Sequence, residues 1–358
     1  MTEHKNTIRR KRTVWDVREI MKKMNSLCLC LVVGIAVTAF PADIEAIREK
    51  HSLPSLAAAV ITDKGLQEWN MTGVPTNSPV LWHLGSNTKA MTASLVGLLV
   101  EQRRVTWDTR IADIFPKEKK NFHPDYAELT LRQLLAHQSG VRPNLDWWAL
   151  HNTKKPIREQ RLDALRQGLA EKPTFPCGSD VLYSNLGYVI VGAVIEQKLN
   201  MTWEDAMRRY LFTPLKMKHA GFGVLYEGDI DNAPVLGPAG RVHCTLEDWA
   251  LFIADQLNGA QGKAGLLKPA TYKELHTPVL KDAALGWFCP ERAWADGRVL
   301  THNGSNTRHF SVAWLAPQKN MAFVACTRQG DENAAKACDD AVGALVGEKL
   351  RTRNSGQP

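Results

Sequence analysis

An apolar segment from residue 86 to residue 102 constrains the fold more than any other feature of the sequence. It contains no proline. Its apolar residues recur at the spacing of one helix face, namely Met91, Leu95, Leu98 and Leu99. The segment therefore predicts a helix packed in the core, with Ser86 and Lys89 at its beginning. Residues three apart share one face of a helix, and the helix dipole favours negative charge at this end.

Ser86 and Lys89 have the chemistry of a nucleophile and a base. Apolar neighbours remove water from a lysine and lower its pKa. The neutral amine can then accept a serine proton, or tune another group that does so. The pair also has a purely structural interpretation, in which Ser86 caps the helix and Lys89 lies on a solvated face. Because Ser-x-x-Lys is a short pattern, it does not decide between the two.

Two further triplets supply the other groups that acyl transfer requires. Tyr183-Ser184-Asn185 precedes a second apolar segment, and His302-Asn303-Gly304 ends a predicted strand. A phenol titrates near pH 10, so a cation such as Lys89 would have to lower the pKa of Tyr183 before it served as a base. As structural residues, Tyr183 would be a core aromatic and Asn185 a helix cap. Together the triplets favour acyl transfer through a serine, without a metal ion or a histidine–aspartate pair.

Longer motifs extend this pattern. They are Leu134-Leu135-Ala136-His137-Gln138-Ser139-Gly140, Tyr183-Ser184-Asn185-Leu186-Gly187-Tyr188, Thr213-Pro214-Leu215-Lys216-Met217, and Gly237-Pro238-Ala239-Gly240-Arg241 followed by Thr245-Leu246-Glu247-Asp248. With them, residues 43–348 resemble the serine β-lactamase/penicillin-binding-protein superfamily, in its class C-like branch. That branch includes class C β-lactamases, D-alanyl-D-alanine carboxypeptidases, D-aminopeptidases and family VIII carboxylesterases.

The resemblance implies a role for each matching residue. Ser86 would be the acylated nucleophile, with Lys89 as its partner base. Tyr183 would be the general base towards Ser86 and then the acid to the leaving group, and Asn185 would hydrogen-bond Lys89 and the substrate. The backbone N–H groups of Ser86 and Ser305 would form the oxyanion hole, in which one donor contributes about 3 kcal/mol in the transition state.

The third triplet departs from the β-lactamases, which commonly have Lys-Thr-Gly there. A His-x-Gly triplet resembles several peptidases and esterases of the same branch, and this disfavours lactamase activity. With an ordinary pKa near 6.5, His302 would be mostly neutral at pH 7.5 and gain charge towards pH 6; alternatively it is bonded to backbone at a strand end. Gly304 would let a substrate backbone approach closely. Arg308 would supply the missing cation, unless it is a surface charge.

Residues 1–42 are predicted to be a leader. They carry 8 Lys and Arg and 3 Asp and Glu, a net of +5, so the +8 of the whole chain falls to +3 for the rest. Basic residues precede an apolar run over 26–39, which is shorter than the roughly 20 residues of a membrane span. A secretory signal peptide over 21–39 or 21–42 is therefore expected. The alternatives are a true start at Met21 or Met24 and an uncleaved anchor.

Pattern and turn residues predict an α/β (α+β) fold. Helices are predicted at 44–50 and 333–349, and strands at 56–62, 66–70, 299–302, 311–315 and 321–326. The resemblance implies that the hydrolase domain, residues 43–350, has an antiparallel sheet flanked by terminal helices (43–85 and 286–350). An inserted all-helical lobe (86–285) would follow, with Ser86 in the cleft between them, and residues 351–358 would be a tail. Trp147, Trp148 and Trp287 are candidate walls of that cleft, or ordinary aromatics, and His137 is expected to be structural.

Composition limits the partners. The modest charge after the leader and the lack of a basic stripe disfavour nucleic acid. Five cysteines follow the leader without a metal-ligand spacing, so no metal or cofactor is expected, and they allow one or two disulfides of undetermined pairing.

The sequence thus predicts a secreted or periplasmic serine hydrolase that forms an acyl-enzyme. Its substrate would be a small molecule or a peptidoglycan-derived ester, D-amino-acid peptide or β-lactam, with esterase or peptidase activity favoured over β-lactamase. The alternative is a non-catalytic penicillin-binding or cell-wall sensor module. No stable membrane span is expected after signal cleavage, and the sequence does not give the oligomeric state.

Overall fold

The computed structural model describes residues 42–75 and 79–354, with the backbone alone for 350–354. The predicted leader lies outside the described residues, apart from Ala42. Within them, no helix is both long and apolar enough to cross a membrane.

The strands follow one another along the chain as Leu56–Thr62 (β1), Gly65–Thr72 (β2), Trp82–His83 (β3), Gly221–Phe222 (β4), Val242–Cys244 (β5), Glu291–Arg292 (β6), Gly297–Arg298 (β7), Leu300–Ser305 (β8), Phe310–Ala316 (β9) and Met321–Thr327 (β10). The α-helices are Ile44–Lys50 (α1), Thr88–Glu101 (α2), Ile111–Ile114 (α3), Leu131–Leu135 (α4), Trp147–Asn152 (α5), Ile157–Ala170 (α6), Asn185–Leu199 (α7), Trp203–Met207 (α8), Gly237–Gly240 (α9), Leu246–Ala260 (α10), Pro269–His276 (α11) and Glu332–Asn354 (α12).

Strands from both ends of the chain form a five-stranded antiparallel sheet in the order β2-β1-β10-β9-β8. Strand β1 is buried on both faces of the sheet, and its successive side chains point in opposite directions. In β1, Ala57, Ala59 and Ile61 join the larger core, to which α10 contributes. Leu56, Ala58 and Val60 join the smaller core, formed with the terminal helices α1 and α12. The predicted fold class is confirmed.

The third triplet lies inside a strand rather than at its end. Strand β8 extends to Ser305, which pairs with Phe310 of β9, and Gly304 pairs with Ser311. The sequence expectation ended the strand at residue 302, because Asn and Gly are poor strand formers. The pairing partner on β9 overrides that local preference, so the whole triplet has a fixed position on the sheet edge.

The middle of the chain is mainly helical, but it also contains strands that position the candidate nucleophile. Strand β5 pairs with β3, with Trp82 opposite Cys244, and with β4. The Leu84 N–H then donates to the Val242 carbonyl at 2.9 Å. This small sheet holds the chain immediately before Ser86. Because β4 and β5 lie within residues 86–285, that segment is not wholly helical, in contrast to the expectation.

Candidate active site

Ser86 lies in a tight turn between β3 and α2. Gly85–Asn87 form one turn of 3-10 helix directly before Thr88, and Gly85 has a φ of +48°, which glycine adopts readily. The Asn87 side chain donates to the Ser311 hydroxyl of β9 at 2.8 Å. The Val242 N–H donates to the Thr88 hydroxyl at 3.1 Å. The turn is therefore fixed between the main sheet and the small sheet.

Lys89 is buried with three acceptors around its amine. Its side chain is 0% exposed, and Nζ lies 3.0 Å from the Ser86 hydroxyl. Two further contacts join Nζ to Asn185 Oδ1 at 2.8 Å and to the Ala239 carbonyl at 2.6 Å. Burial lowers the pKa of Lys89 well below its ordinary value, and no carboxylate opposes the shift.

A neutral amine in this position has its lone pair directed at Ser86. The carbonyl oxygens of Asn185 and Ala239 can only accept hydrogen bonds. They take the two hydrogens of a neutral Nζ, so the remaining tetrahedral position, which holds the lone pair, faces the Ser86 hydroxyl. In its neutral form Nζ can therefore accept the Ser86 proton, whereas an ammonium would donate to all three oxygens.

Tyr183 lies beside the same amine but keeps its proton. Lys89 Nζ is 4.7 Å from the centre of the phenol ring. Burial raises the pKa of Tyr183, and a hydrogen bond with Ser86 opposes the rise only in part. The lowered pKa that a general base would need is therefore not found at Tyr183, because burial outweighs the hydrogen bond with Ser86.

Asn185 connects Lys89 to a residue that the sequence did not reveal. Its Oδ1 accepts from Lys89, and its Nδ2 donates to Asn144 Oδ1 at 2.9 Å. The Trp147 indole N–H donates to the same Asn144 oxygen at 3.3 Å. Asn144 therefore fixes which end of the Asn185 amide faces Lys89. A single asparagine in a proline-containing loop carries no sequence signal for this contact.

Gly304 lets β8 approach the nucleophile turn. A Cβ at Gly304 would lie 2.1 Å from the Leu84 carbonyl oxygen and 2.4 Å from the Ser86 nitrogen, and one at Gly85 would lie 2.5 Å from the Ser305 nitrogen. The two glycines thus bring the backbone nitrogens of Ser86 and Ser305 into one region. Gly304 thus makes a close approach to the chain's own Leu84–Ser86 turn, and the expected approach of a substrate backbone stays a prediction.

His302 is buried and neutral. It is 3% exposed, and Nδ1 lies 2.6 Å from the Asn303 carbonyl, to which it donates as N–H. Burial and the nearby Lys89 lower its pKa to about 3. The expectation that it gains charge towards pH 6 is therefore wrong, because desolvation disfavours the imidazolium.

Arg308 is exposed and lines a surface pocket. This pocket of about 230 Å³ is also lined by Tyr226, Asp229 and Arg328, whereas Ser86, Lys89 and Tyr183 are not among its described lining residues. In the described part of the chain, no hydrogen bond or ion pair joins the Arg308 side chain to the other predicted site residues. The structure therefore brings together Ser86, Lys89, Tyr183, Asn185, His302, Gly304 and Ser305, and leaves Arg308 apart.

The tryptophans considered as cleft walls and the cysteines considered for disulfides or metal binding can also be located in the structure. The Trp287 indole is 3% exposed and donates to Gln256 inside the core, so it is not a cleft wall. Trp148 is 52% exposed. The described cysteines are free thiols, namely Cys177, Cys244, Cys289, Cys326 and Cys338. In the described residues, no group of three or more His, Cys, Asp or Glu side chains is arranged to hold a metal ion.

The chain is similar to several known proteins. Penicillin-binding protein 4 of Amycolatopsis lactamdurans is 26% identical over 327 residues, which cover 80% of this chain and 84% of that protein. Protein flp of Staphylococcus aureus (strain MW2) is 23% identical over 75% of this chain, which spans only 57% of that protein.

Solved structures show the same fold at lower identity. A class C beta lactamase from Rhodobacter sphaeroides is 18% identical with a TM-score of 0.68, covering 86% of this chain and 98% of that one. A beta-lactamase/D-alanine carboxypeptidase from Yersinia pestis, complexed with citrate, is 18% identical with a TM-score of 0.67, covering 86% and 96%. The Beta-lactamase family model matches residues 40–348. The resemblance of the sequence motifs is thus confirmed, and the chain belongs to the Beta-lactamase family, a family of serine hydrolases.

Proposed function

We propose that the protein hydrolyses an ester or a D-amino-acid peptide through an acyl-enzyme on Ser86. The observation that carries the proposal is the arrangement around Lys89, in which the buried Nζ lies 3.0 Å from the Ser86 hydroxyl and two carbonyl oxygens can accept both hydrogens of the neutral amine. A positioned base of this kind accelerates such a step by about 10²- to 10⁴-fold.

Acylation begins with proton transfer from Ser86 to Lys89. The serine oxygen forms a bond to the substrate carbonyl carbon as its proton moves to Nζ, and the carbonyl oxygen becomes an oxyanion. The backbone N–H groups of Ser86 and Ser305 lie where Gly85 and Gly304 allow close approach, and they would stabilise that charge. Collapse of the intermediate breaks the bond to the leaving group.

Tyr183 would protonate the leaving group. Its raised pKa keeps the phenol protonated at neutral pH, which suits an acid better than a base. After Tyr183 gives its proton to the leaving oxygen or nitrogen, the Lys89 ammonium restores it, so no net proton is lost. Water then attacks the acyl carbonyl, its proton returns through the same groups, and Ser86 leaves with a proton.

The charge of the site favours uncharged substrates. Burial disfavours the charged forms of Lys89, Tyr183 and His302. Arg308 lies with Arg328 at a surface pocket. Among the described residues, no arginine side chain is hydrogen-bonded to Ser86, Lys89, Tyr183 or His302 to attract the carboxylate of a cephalosporin, and this supports esterase or peptidase activity over β-lactamase activity.

The test is labelling at Ser86 combined with a substrate panel. A fluorophosphonate and a fluorescent penicillin should label the wild type at Ser86 by peptide mapping, and Ser86→Ala should lose labelling and turnover. Ser94→Ala is the control, since Ser94 is a buried serine of helix α2, which follows Ser86, and its hydroxyl donates to the Ala90 carbonyl. Labelling of another serine, such as Ser139 or Ser184, would overturn the assignment. A stable adduct without turnover of p-nitrophenyl esters, a chromogenic cephalosporin or D-Ala-D-Ala peptides would indicate a penicillin-binding sensor instead.

We also propose export to the periplasm or the cell exterior, from the basic and apolar pattern of the leader. N-terminal sequencing of the protein from the periplasm of a host should find cleavage after residue 39 or 42. An intact leader on membrane-bound protein would show an uncleaved anchor.

A further inference from the structure

Residues 137–143 form a frame for the Tyr183 triplet. The Asn185 and Leu186 N–H groups donate to the Pro143 carbonyl, at 2.9 and 3.1 Å. The Ser184 hydroxyl donates to the Arg142 carbonyl at 2.9 Å. Residues 137–143, which follow helix α4, thus hold the start of helix α7 through several hydrogen bonds.

His137 holds the backbone on both sides of Tyr183. The Leu182 N–H donates to the His137 carbonyl at 2.9 Å, and the Ser184 N–H donates to His137 Nδ1 at 3.1 Å. His137 is 3% exposed and has a φ of +58°, a left-handed conformation that few residue types adopt at low cost. The conformation directs both the carbonyl and the ring of one residue at the same short segment.

The imidazole ring also packs on the phenol. Its centre is 4.5 Å from that of Tyr183 and 5.3 Å from that of Tyr188. Lys89 Nζ lies 4.7 Å from the Tyr183 ring centre. The phenol is therefore held by two neighbours, a base and a histidine.

The role of acceptor requires one form of the imidazole. Because Nδ1 accepts from the Ser184 N–H, the proton must be on Nε2. Burial, with smaller effects from Lys89 and His302, lowers the pKa of His137 well below its ordinary value, so Nδ1 keeps its lone pair at neutral pH.

We propose that His137 is a positioning residue for Tyr183, which fixes the phenol against Ser86 and Lys89 by holding the backbone at Leu182 and Ser184 and by packing on the ring. The inference rests on the proposed acyl-enzyme function. His137 does not donate or accept a reacting proton. Misplacement of a reacting group by about 1 Å costs about 10²-fold in rate, so loss of this support should lower kcat more than it changes KM.

The experiment compares two variants that both tolerate a positive φ. His137→Asn keeps an acceptor oxygen on Cγ, where the imidazole has Nδ1, and Asn adopts the left-handed region more readily than most residues. His137→Gly relaxes the same backbone but removes both the acceptor and the ring. For p-nitrophenyl ester hydrolysis we expect about 10- to 10²-fold loss of kcat in His137→Gly and retention of most of the kcat in His137→Asn.

Each variant is also made in a Tyr183→Phe background. If His137 acts through the Tyr183 hydroxyl, His137→Gly should cost little there, because residues that act as one unit are not additive. A loss of equal size in both backgrounds would overturn the inference, and a loss of kcat in His137→Asn as large as in His137→Gly would overturn the role of the Nδ1 acceptor. If His137→Gly does not fold by circular dichroism, His137→Gln replaces it, since its amide lies where Nε2 was and not at Nδ1.

The outcomes separate this inference from the proposed function. If wild-type Ser86 is not labelled by a fluorophosphonate, the proposed function fails. If Ser86 is labelled and folded His137→Gly reacts as fast as the wild type, the proposed function stands and the role of His137 is refuted.

Discussion

Adding one methyl group at Gly304 should disable the site although no candidate catalytic side chain is replaced. In Gly304→Ala the new Cβ would lie 2.1 Å from the Leu84 carbonyl oxygen and 2.4 Å from the Ser86 nitrogen. Carbon contacts are ordinarily near 3.5 Å, so β8 and the nucleophile turn must separate by about 1 Å. Both obstructing atoms are backbone atoms, which cannot rotate away.

The displacement moves the Ser305 N–H away from the Ser86 N–H. Loss of one oxyanion donor costs about 10²- to 10³-fold in kcat, and overpacking costs about 1–3 kcal/mol of stability. We expect kcat/KM for a p-nitrophenyl ester to fall by about 10²- to 10³-fold in a protein that remains folded.

The matched control is Gly343→Ala in helix α12. A Cβ there meets nothing within 4 Å, and the site is exposed. Alanine in a helix interior is more stable than glycine by about 0.5–1 kcal/mol, so this variant should gain stability and keep full activity. Denaturant unfolding and ester kinetics check both variants. Wild-type kcat/KM in folded Gly304→Ala would refute the argument that Gly304 sets the spacing between β8 and the Ser86 turn.

Three further results are expected. Lys89→Met and Tyr183→Phe should each slow acylation by about 10²-fold or more, and the double variant should be little worse than the worse single; stopped-flow labelling measures this, and additive losses would show separate proton paths. Arg161→Met should cost about 3–5 kcal/mol in denaturant unfolding, because it leaves Glu196 and Glu204 unpaired in the interior, whereas the exposed Arg110→Met control should change stability little. The ratio of ester to cephalosporin kcat/KM should stay constant between about pH 5.5 and 8.5, because His302 remains neutral there.

The fold was largely predictable because its strands and helices are locally marked. The hairpin of β1 and β2 turns at Asp63-Lys64-Gly65, as the turn residues predict. The helix predicted over 333–349 lies within α12. What the local pattern missed came from distant pairing. Strand β8 continues through Asn303 and Gly304 because β9 pairs with it, and no window around residue 302 contains that information.

The site was predictable in its side chains but not in its backbone groups or charges. Ser86, Lys89 and Tyr183 belong to recognisable motifs. Lys89 also contacts the backbone carbonyl of Ala239, and every residue type has such a carbonyl, so the sequence gives no signal for this contact. Asn144 acts on Lys89 only through Asn185. The pKa directions of Tyr183 and His302 depend on burial by the folded chain, so an ordinary pKa was the wrong starting value for both.

The constant substrate ratio follows from the same burial. Lys89 must be neutral to accept the Ser86 proton, and its pKa is lowered, so acylation of either substrate rises as pH passes upward through that pKa and then levels off. Titration of this shared base divides out of the ratio. His302, with a pKa of about 3, adds no charge above pH 5, and the carboxylate of the cephalosporin stays ionised throughout. The contrary result would be an ester-to-cephalosporin ratio that falls as the pH decreases, with a midpoint near pH 6.5, and that no longer falls in His302→Gln. It would show that His302 is protonated in the working enzyme and that its buried, neutral state is wrong.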